Sequence, residues 1–166
     1  MEFDSLLVFA FGNRITPDGE LLPGLVNEEL ARITEGLAQE HQVPVFAQWE
    51  IADLLVAAGV QNVISVTPDY APDGTVIYLS TDGVARKALV LSEEVGIRLG
   101  RAAVLGHRDH VERCRRTAIK AGIEIVAIPN ELMPSMYDAE SGQEWTRSRD
   151  VYLKADAYAM RLLNES

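Results

Sequence analysis

The amino-acid sequence predicts an α/β three-layer sandwich on a mainly parallel sheet of about five to six strands. Three observations carry that expectation. Short apolar runs alternate with helix-like stretches along the 166 residues. The first run, residues 5–11 (Ser-Leu-Leu-Val-Phe-Ala-Phe), is almost wholly apolar, the pattern of a strand covered on both faces. Polar and basic residues then follow the strand ends, where open α/β sheets hold their ligands.

The elements follow in order. After the first strand, Gly12-Asn13-Arg14 leads into a polar loop with Pro17, Asp18 and Gly19. Leu30, Ile33 and Leu37 recur at helical spacing and predict a helix over about 25–40. Val43 to Ala47 reads as the second strand, Trp49 to Ala58 as a helix stopped by Gly59, and Asn62 to Val66 as the third strand. Thr67 to Gly74, with two Pro and two Asp, must turn, and the β-branched and aromatic run Thr75 to Leu79 predicts a fourth strand. No helix separates the third strand from the fourth, so one of them is expected to be antiparallel or a side feature. Val84, Ala88, Leu91, Val95 and Leu99 lie on one stripe of a helix over about 82–99, closed by Gly100. Ala102 to Leu105 is the fifth strand. Asp109 and Glu112 have capping-box spacing and open a helix to about 120, ended by Gly122. Ile123 to Ile128 is the sixth strand, and Leu153, Ala157 and Met160 mark a final helix. Right-handed crossovers would put helices on both faces, a Rossmann-like arrangement. Residues 1–166 suit one domain, with the long polar stretch 129–150 as a lid over the strand ends.

Composition narrows the partners. Apolar residues make up 48% and charged residues 24%, an ordinary globular mixture. Lys and Arg total 15 against 25 Asp and Glu, a net charge of −10. Such a chain repels a phosphate backbone and an anionic membrane surface, so neither nucleic acid nor membrane is the expected partner. No apolar run reaches the ~18 residues of a membrane span. The opening Met1-Glu2-Phe3-Asp4 lacks the basic flank of a signal peptide, and Cys114 is the only cysteine. The expected location is therefore the cytoplasm.

The strand-end rule selects Gly12, Asn13 and Arg14; Gln48, Trp49 and Glu50; Ser80, Thr81 and Asp82; Gly106, His107, Arg108 and His110; and Asn130 and Glu131. Helix N-termini at three of these places add partial positive charge, so a small anionic or nucleotide-like ligand is the physical inference. Glu50 and His110 are the candidate acid–base pair. Gly12, Asn13, Arg14, Gln48, Ser80, Thr81, His107, Arg108, Arg113 and Arg147 are the candidate ligand-binding residues. Each has a plainer reading. Gly12 permits a turn; Asn13 and Arg14 are loop residues; Glu50 complements a helix dipole; Ser80 or Thr81 caps a helix; the histidines lie on the surface. Glu144 and Arg147, at i and i+3, make either part of the lid or a surface pair. No third ligand accompanies the His107–His110 pair, so no metal is assigned, and no particular cofactor is indicated. Cys114 shares a face with Val111 and Ala118 and reads as core. There is no G-x-S-x-G, P-loop or G-x-G-x-x-G.

At four places the chain resembles the SanA/YdcF/ElyC-like family of bacterial proteins. They are Leu7-Val8-Phe9-Ala10-Phe11-Gly12 with Asp18-Gly19; Glu50-Ile51-Ala52; His110-Val111-Glu112-Arg113 after Ala103-Val104-Leu105-Gly106; and Glu144-Trp145-Thr146-Arg147. The likeness runs from about residue 5 to 156. The chain departs from the family where Ala47-Gln48-Trp49 replaces a Ser-Gly-Gly, and around Ser80 and Thr81, as a divergent member would. The resemblance implies a Rossmann-like fold and a charged active site; many relatives carry a membrane anchor. Two functional readings follow. One is an enzyme acting on an anionic or nucleotide-like molecule. The other is a non-catalytic module that binds a nucleotide, S-adenosylmethionine or a partner.

Overall fold

The computed structural model describes residues 2–166. Five parallel strands form the central sheet: β1 (Ser5–Val8), β4 (Val45–Gln48), β5 (Val63–Val66), β8 (Ala102–Leu105) and β9 (Ile125–Val126). Their order across the sheet is β5-β4-β1-β8-β9, with β1 in the centre as the two-sided apolar run requires. Every residue of β1 and β8 is buried. The helices α1 (Leu25–His41) and α2 (Trp49–Ala57) pack against each other beside β1, β4 and β5. The pair α3 (Thr81–Val95) and α4 (Val111–Lys120) forms the other layer, and α5 (Arg149–Glu165) lies outside α4. The chain first winds from β1 towards β5, then crosses back through α3 to β8. The direction of winding therefore reverses between β1 and β8, and the strand ends splay apart there.

Hydrogen bonding explains why β1 stops early. Pairing ends at Val8, although the apolar run continues to Phe11. Phe9 N–H makes the last bond to β8, at Leu105 O (2.9 Å), and beyond it side chains take the backbone donors: Ala10 N–H donates to Gln48 Oε1 (2.7 Å) and Phe11 N–H to Asn27 Oδ1 (2.8 Å). The Asn27 amide returns two bonds, to Gly12 O (2.9 Å) and Pro23 O (2.8 Å). A buried asparagine thus holds the loop that a further turn of sheet would have occupied.

Other boundaries shift for identifiable reasons. The fourth strand is not in the sheet. Val76–Ile77 (β7) pairs antiparallel with Asp69–Tyr70 (β6) as a small ribbon, which resolves the missing helix before it. A second ribbon, Arg14–Ile15 (β2) with Leu21–Leu22 (β3), occupies the first polar loop. Helix α3 ends at left-handed Gly96 rather than Gly100; Leu99 is buried beyond the helix. Ile123 and Ile128 are buried but flank the two-residue strand β9. The expected capping box at Asp109 and Glu112 is absent. His110 is the N-cap of α4 with no side-chain bond, Asp109 faces Arg149, and Glu112 pairs with Arg116. Cys114, Val111 and Ala118 are fully buried as their shared face predicted. Glu144–Thr146 forms a single 3-10 turn, so Glu144 and Arg147 precede α5, whose first turn is capped by Ser148. No helix among the described residues is long and apolar enough to cross a membrane.

Candidate functional site

A cavity of about 260 Å³ opens at the carboxyl ends of the strands, where the winding reverses. Its floor comes from Phe11 and Gly12 after β1, Gln48 at the end of β4, and Glu50 in the first turn of α2. Ser80 and Thr81 supply one wall, His110 and Arg113 another, and Tyr152 of α5 closes the side. Gln143, Trp145 and Thr146 reach it from the segment between β9 and α5. Seven of the residues singled out in the sequence therefore meet here: Gly12, Gln48, Glu50, Ser80, Thr81, His110 and Arg113.

Two groups in this cavity are buried without partners. Glu50 is 4% exposed and its Oε2 has no hydrogen-bond partner. Burial pushes its carboxyl up to about 7, with Asp53 adding to the rise against the pull of the helix backbone. His110 is 6% exposed and its Nδ1 is likewise unpaired. Burial first, then the nearby Arg113 and His107, hold its imidazole well below the usual histidine range, so it is neutral at pH 7. Folded proteins normally pair buried polar atoms, since an orphan costs ~1–3 kcal/mol. Of the four buried side-chain atoms left unpaired among the described residues, two, Glu50 Oε2 and His110 Nδ1, lie on this one small cavity, where a ligand can reach them; the others are Asn13 Oδ1 and Arg115 Nε.

Around these two the polar groups are ordered. Arg113 donates to Asp156 Oδ1 (2.6 Å), Thr81 Oγ1 (3.0 Å) and the Tyr152 hydroxyl (3.3 Å). This fork fixes the guanidinium edge and leaves the Thr81 hydroxyl hydrogen free to donate. Ser80 is a true N-cap, accepting from Gly83 N–H (3.0 Å), as its plainer reading held, and it lines the cavity as well. Gln48 fixes its Oε1 on Ala10 N–H, which leaves its NH₂ as a donor. Gly12 sits at φ +70°, and a Cβ there would meet Ser141 Oγ at 2.8 Å and Thr146 Oγ1 at 2.9 Å.

The remaining five candidates do not line the cavity. They tie down the segment that covers it, residues 129–148, called here the strap. Arg14 forms a bidentate pair with Asp138 (2.7 and 3.0 Å). Asn13 accepts Gly142 N–H on its carbonyl (3.0 Å). His107 Nδ1 accepts Asp109 N–H (3.1 Å), which places the proton on Nε2 for Met136 O (3.0 Å). Its ring stacks on Phe11 at 4.1 Å, and burial lowers its pKa. Arg108 donates to the carbonyls of Asn130, Glu131 and Met133 (3.2–3.3 Å). Arg147 donates to Ser141 O (2.6 Å). The predicted convergence of Arg14, Glu50, Ser80, His107, Arg108 and His110 is thus met by Glu50, Ser80 and His110 alone. Position at a strand end is shared by both groups; what separates Glu50 and His110 from His107 and Arg108 is the partner of each side chain.

Tyr78, Gln143 and Tyr152 complete the walls without having been singled out, and Thr146 had entered only as part of the Glu144–Arg147 motif. Tyr152 lies on the inward face of α5 with Asp156, Ala159 and Leu163, and nothing in its local sequence distinguishes it from the exposed Tyr158. Among the described residues, no three His, Cys, Asp or Glu side chains gather as a metal set. No family model, curated protein or solved structure matches the chain.

Proposed function

We propose that this chain is an enzyme acting on a small anionic or nucleotide-like molecule bound at the carboxyl ends of β1, β4 and β8, with Glu50 as the general acid–base group. The observation that carries the reading is the pair of buried, unpartnered atoms, Glu50 Oε2 and His110 Nδ1, on one cavity. A carboxyl near pH 7 exchanges a proton at physiological pH with little driving-force penalty. Neutral His110 accepts or donates one hydrogen bond according to its tautomer and orients the reacting group. Arg113, the Thr81 hydroxyl and the first turn of α3 supply donors for the anionic part. The resemblance to the SanA/YdcF/ElyC-like family agrees with a charged active site on this fold.

The test is a panel of phosphate monoesters, nucleotides and methyl acceptors, with and without divalent metal, against wild type, Glu50→Gln and His110→Gln. We expect turnover of at least one panel class. Glu50→Gln should lower kcat by about a hundredfold or more while the Kd moves by no more than a few fold. Turnover in Glu50→Gln equal to wild type overturns the assignment. Tight binding without turnover by wild type favours the binding-module reading.

A further inference from the structure

The cavity does not end at its own walls. Ser80, Thr81 and Arg113 also line a second, more open depression of about 730 Å³ between α3, α4 and α5. Its far end is formed by Thr117 and Lys120 of α4 and by Ala159, Leu162 and Leu163 of α5. The two spaces share three residues, and those three include the cation and the hydroxyls that suit an anion. The inner cavity alone, at about 260 Å³, lies just below the ~300–1,000 Å³ of ordinary small-molecule sites; with the groove it falls within that range.

The chemistry changes along this path. The inner end carries Glu50 and His110, both buried with an unpaired atom. The junction carries Arg113, held by Asp156 and Thr81. The outer end offers apolar carbon: Leu162 is 48% exposed, and Leu163 and Ala159 lie half-buried beside it. The rim charges are occupied within the chain. Arg86 pairs with Asp82 at 2.8 Å, and Lys120 Nζ donates to Leu163 O at 3.1 Å and to Ser166 Oγ. Lys120 therefore fastens the end of α5 to α4 and keeps the groove open as a defined shape. A ligand lying across both spaces meets hydrogen-bonding groups, then a cation, then an apolar surface.

We propose that the ligand is an amphiphilic anion whose polar head occupies the inner cavity, whose phosphate or carboxylate sits at Arg113 and Thr81, and whose apolar substituent lies in the α4–α5 groove. This rests on the reading of the inner cavity as the ligand site. It adds that the groove reads the substituent, so affinity depends on the length of a chain that never touches Glu50.

Calorimetric titration of the full chain with inorganic phosphate, then ethyl, butyl and octyl phosphate below their micellar concentrations, tests it. Octanoate serves as the carboxylate arm. A fully buried methylene is worth about fourfold in affinity, so a half-open groove predicts about twofold per methylene from ethyl to octyl. Leu162→Asp, at a position 48% exposed, should flatten that dependence and leave inorganic phosphate binding unchanged, with an unaltered melting transition as the check on folding. Arg113→Met should weaken every phosphate probe. Octanoate binding as tightly as octyl phosphate assigns the junction to a carboxylate, and much weaker binding assigns it to a phosphate; both support the proposal. Equal affinity for ethyl and octyl phosphate overturns it while the inner site stands. So does a chain-length dependence that survives Leu162→Asp. Failure of all the probes to bind removes the anion site itself, and with it this proposal and the reading beneath it.

Discussion

The strap and the cavity beneath it use the same kinds of residue and pair their charged and titratable groups to different extents. Around the strap the cations are anchored: Arg14 of β2 on Asp138, Arg108 on three strap carbonyls, Arg147 on Ser141 O, and Arg149, where the strap gives way to α5, on Asp109 at 2.9 Å. Arg115, almost wholly buried, adds bonds from its two terminal nitrogens to Asn130 Oδ1 and Ile128 O, both 2.7 Å, and keeps only Nε unpaired. In the cavity, Glu50 and His110 each keep an atom buried and unbonded. The difference teaches where free energy has been placed. Paired groups hold a shape, and orphaned ones cost stability that a ligand restores. Substitutions in the strap should therefore move stability with little effect on affinity. Substitutions in the cavity should do the reverse, or even stabilise the fold.

The largest effect is expected where the two regions touch. Gly12→Ala forces a side chain into a left-handed backbone and against two hydroxyls of the strap. Chemical denaturation should register a loss of about 3–4 kcal/mol. A loss below about 1 kcal/mol would mean that the strap yields easily and is not the rigid cover described.

Glu50→Gln comes next and has the opposite sign. The unfolded chain ionises Glu50 above about 4.5, while the fold holds the proton to about 7. Between those values the native state binds more protons, so the contribution of Glu50 to stability declines as pH rises and levels off above about 7. Relative to wild type, Glu50→Gln should gain up to about 3 kcal/mol at pH 8, and this pH-dependent gain should be absent at pH 4. The depressed pKa of His110 works the other way, costing stability as pH falls below about 6.5, and cancels in this difference. Parallel stability–pH curves for the two proteins would show that Glu50 is not buried as drawn.

Arg147→Ala should cost about 1 kcal/mol, the worth of one buried-end hydrogen bond, and leave phosphate-ester affinity unchanged. A tenfold loss of affinity there would bring Arg147 within reach of the ligand and blur the comparison. The smallest effect belongs to Arg149→Ala. Its side chain is 65% exposed, so loss of the Asp109 pair should barely move the denaturation midpoint, and that small shift should fade in high salt.

Much of the fold was legible because its signals are local. The two-sided apolar run of β1, the helical stripes and the strand-then-helix rhythm each need only neighbouring residues. The misplaced fourth strand has a local cause too: Val76 and Ile77 satisfy strand propensity equally well in a ribbon beside the sheet. The site was legible only in part. Strand-end position drew Glu50 and His110 into the same set as His107 and Arg108. What divides that set is the distant partner of each side chain, Met136 or Asn130 in one case and none in the other. Pairings across more than twenty residues leave no trace in periodicity. Asp109 failed as a cap for the same reason, because Arg149 and Tyr137 bind it from the far end of the chain.

Tyr152 belongs to the last helix, whereas Phe11 and Gly12 follow the first strand, and the cavity needs both. During synthesis the strands of the sheet have all emerged once β9 is made, before α5. At that moment Phe11 and His107 lack their aromatic neighbour Tyr152, and Arg113 lacks Asp156. The side wall of the cavity is therefore conferred by the docking of α5, after the sheet is formed. Helix α5 contributes no strand pairing, yet without it nothing closes the side of the cavity.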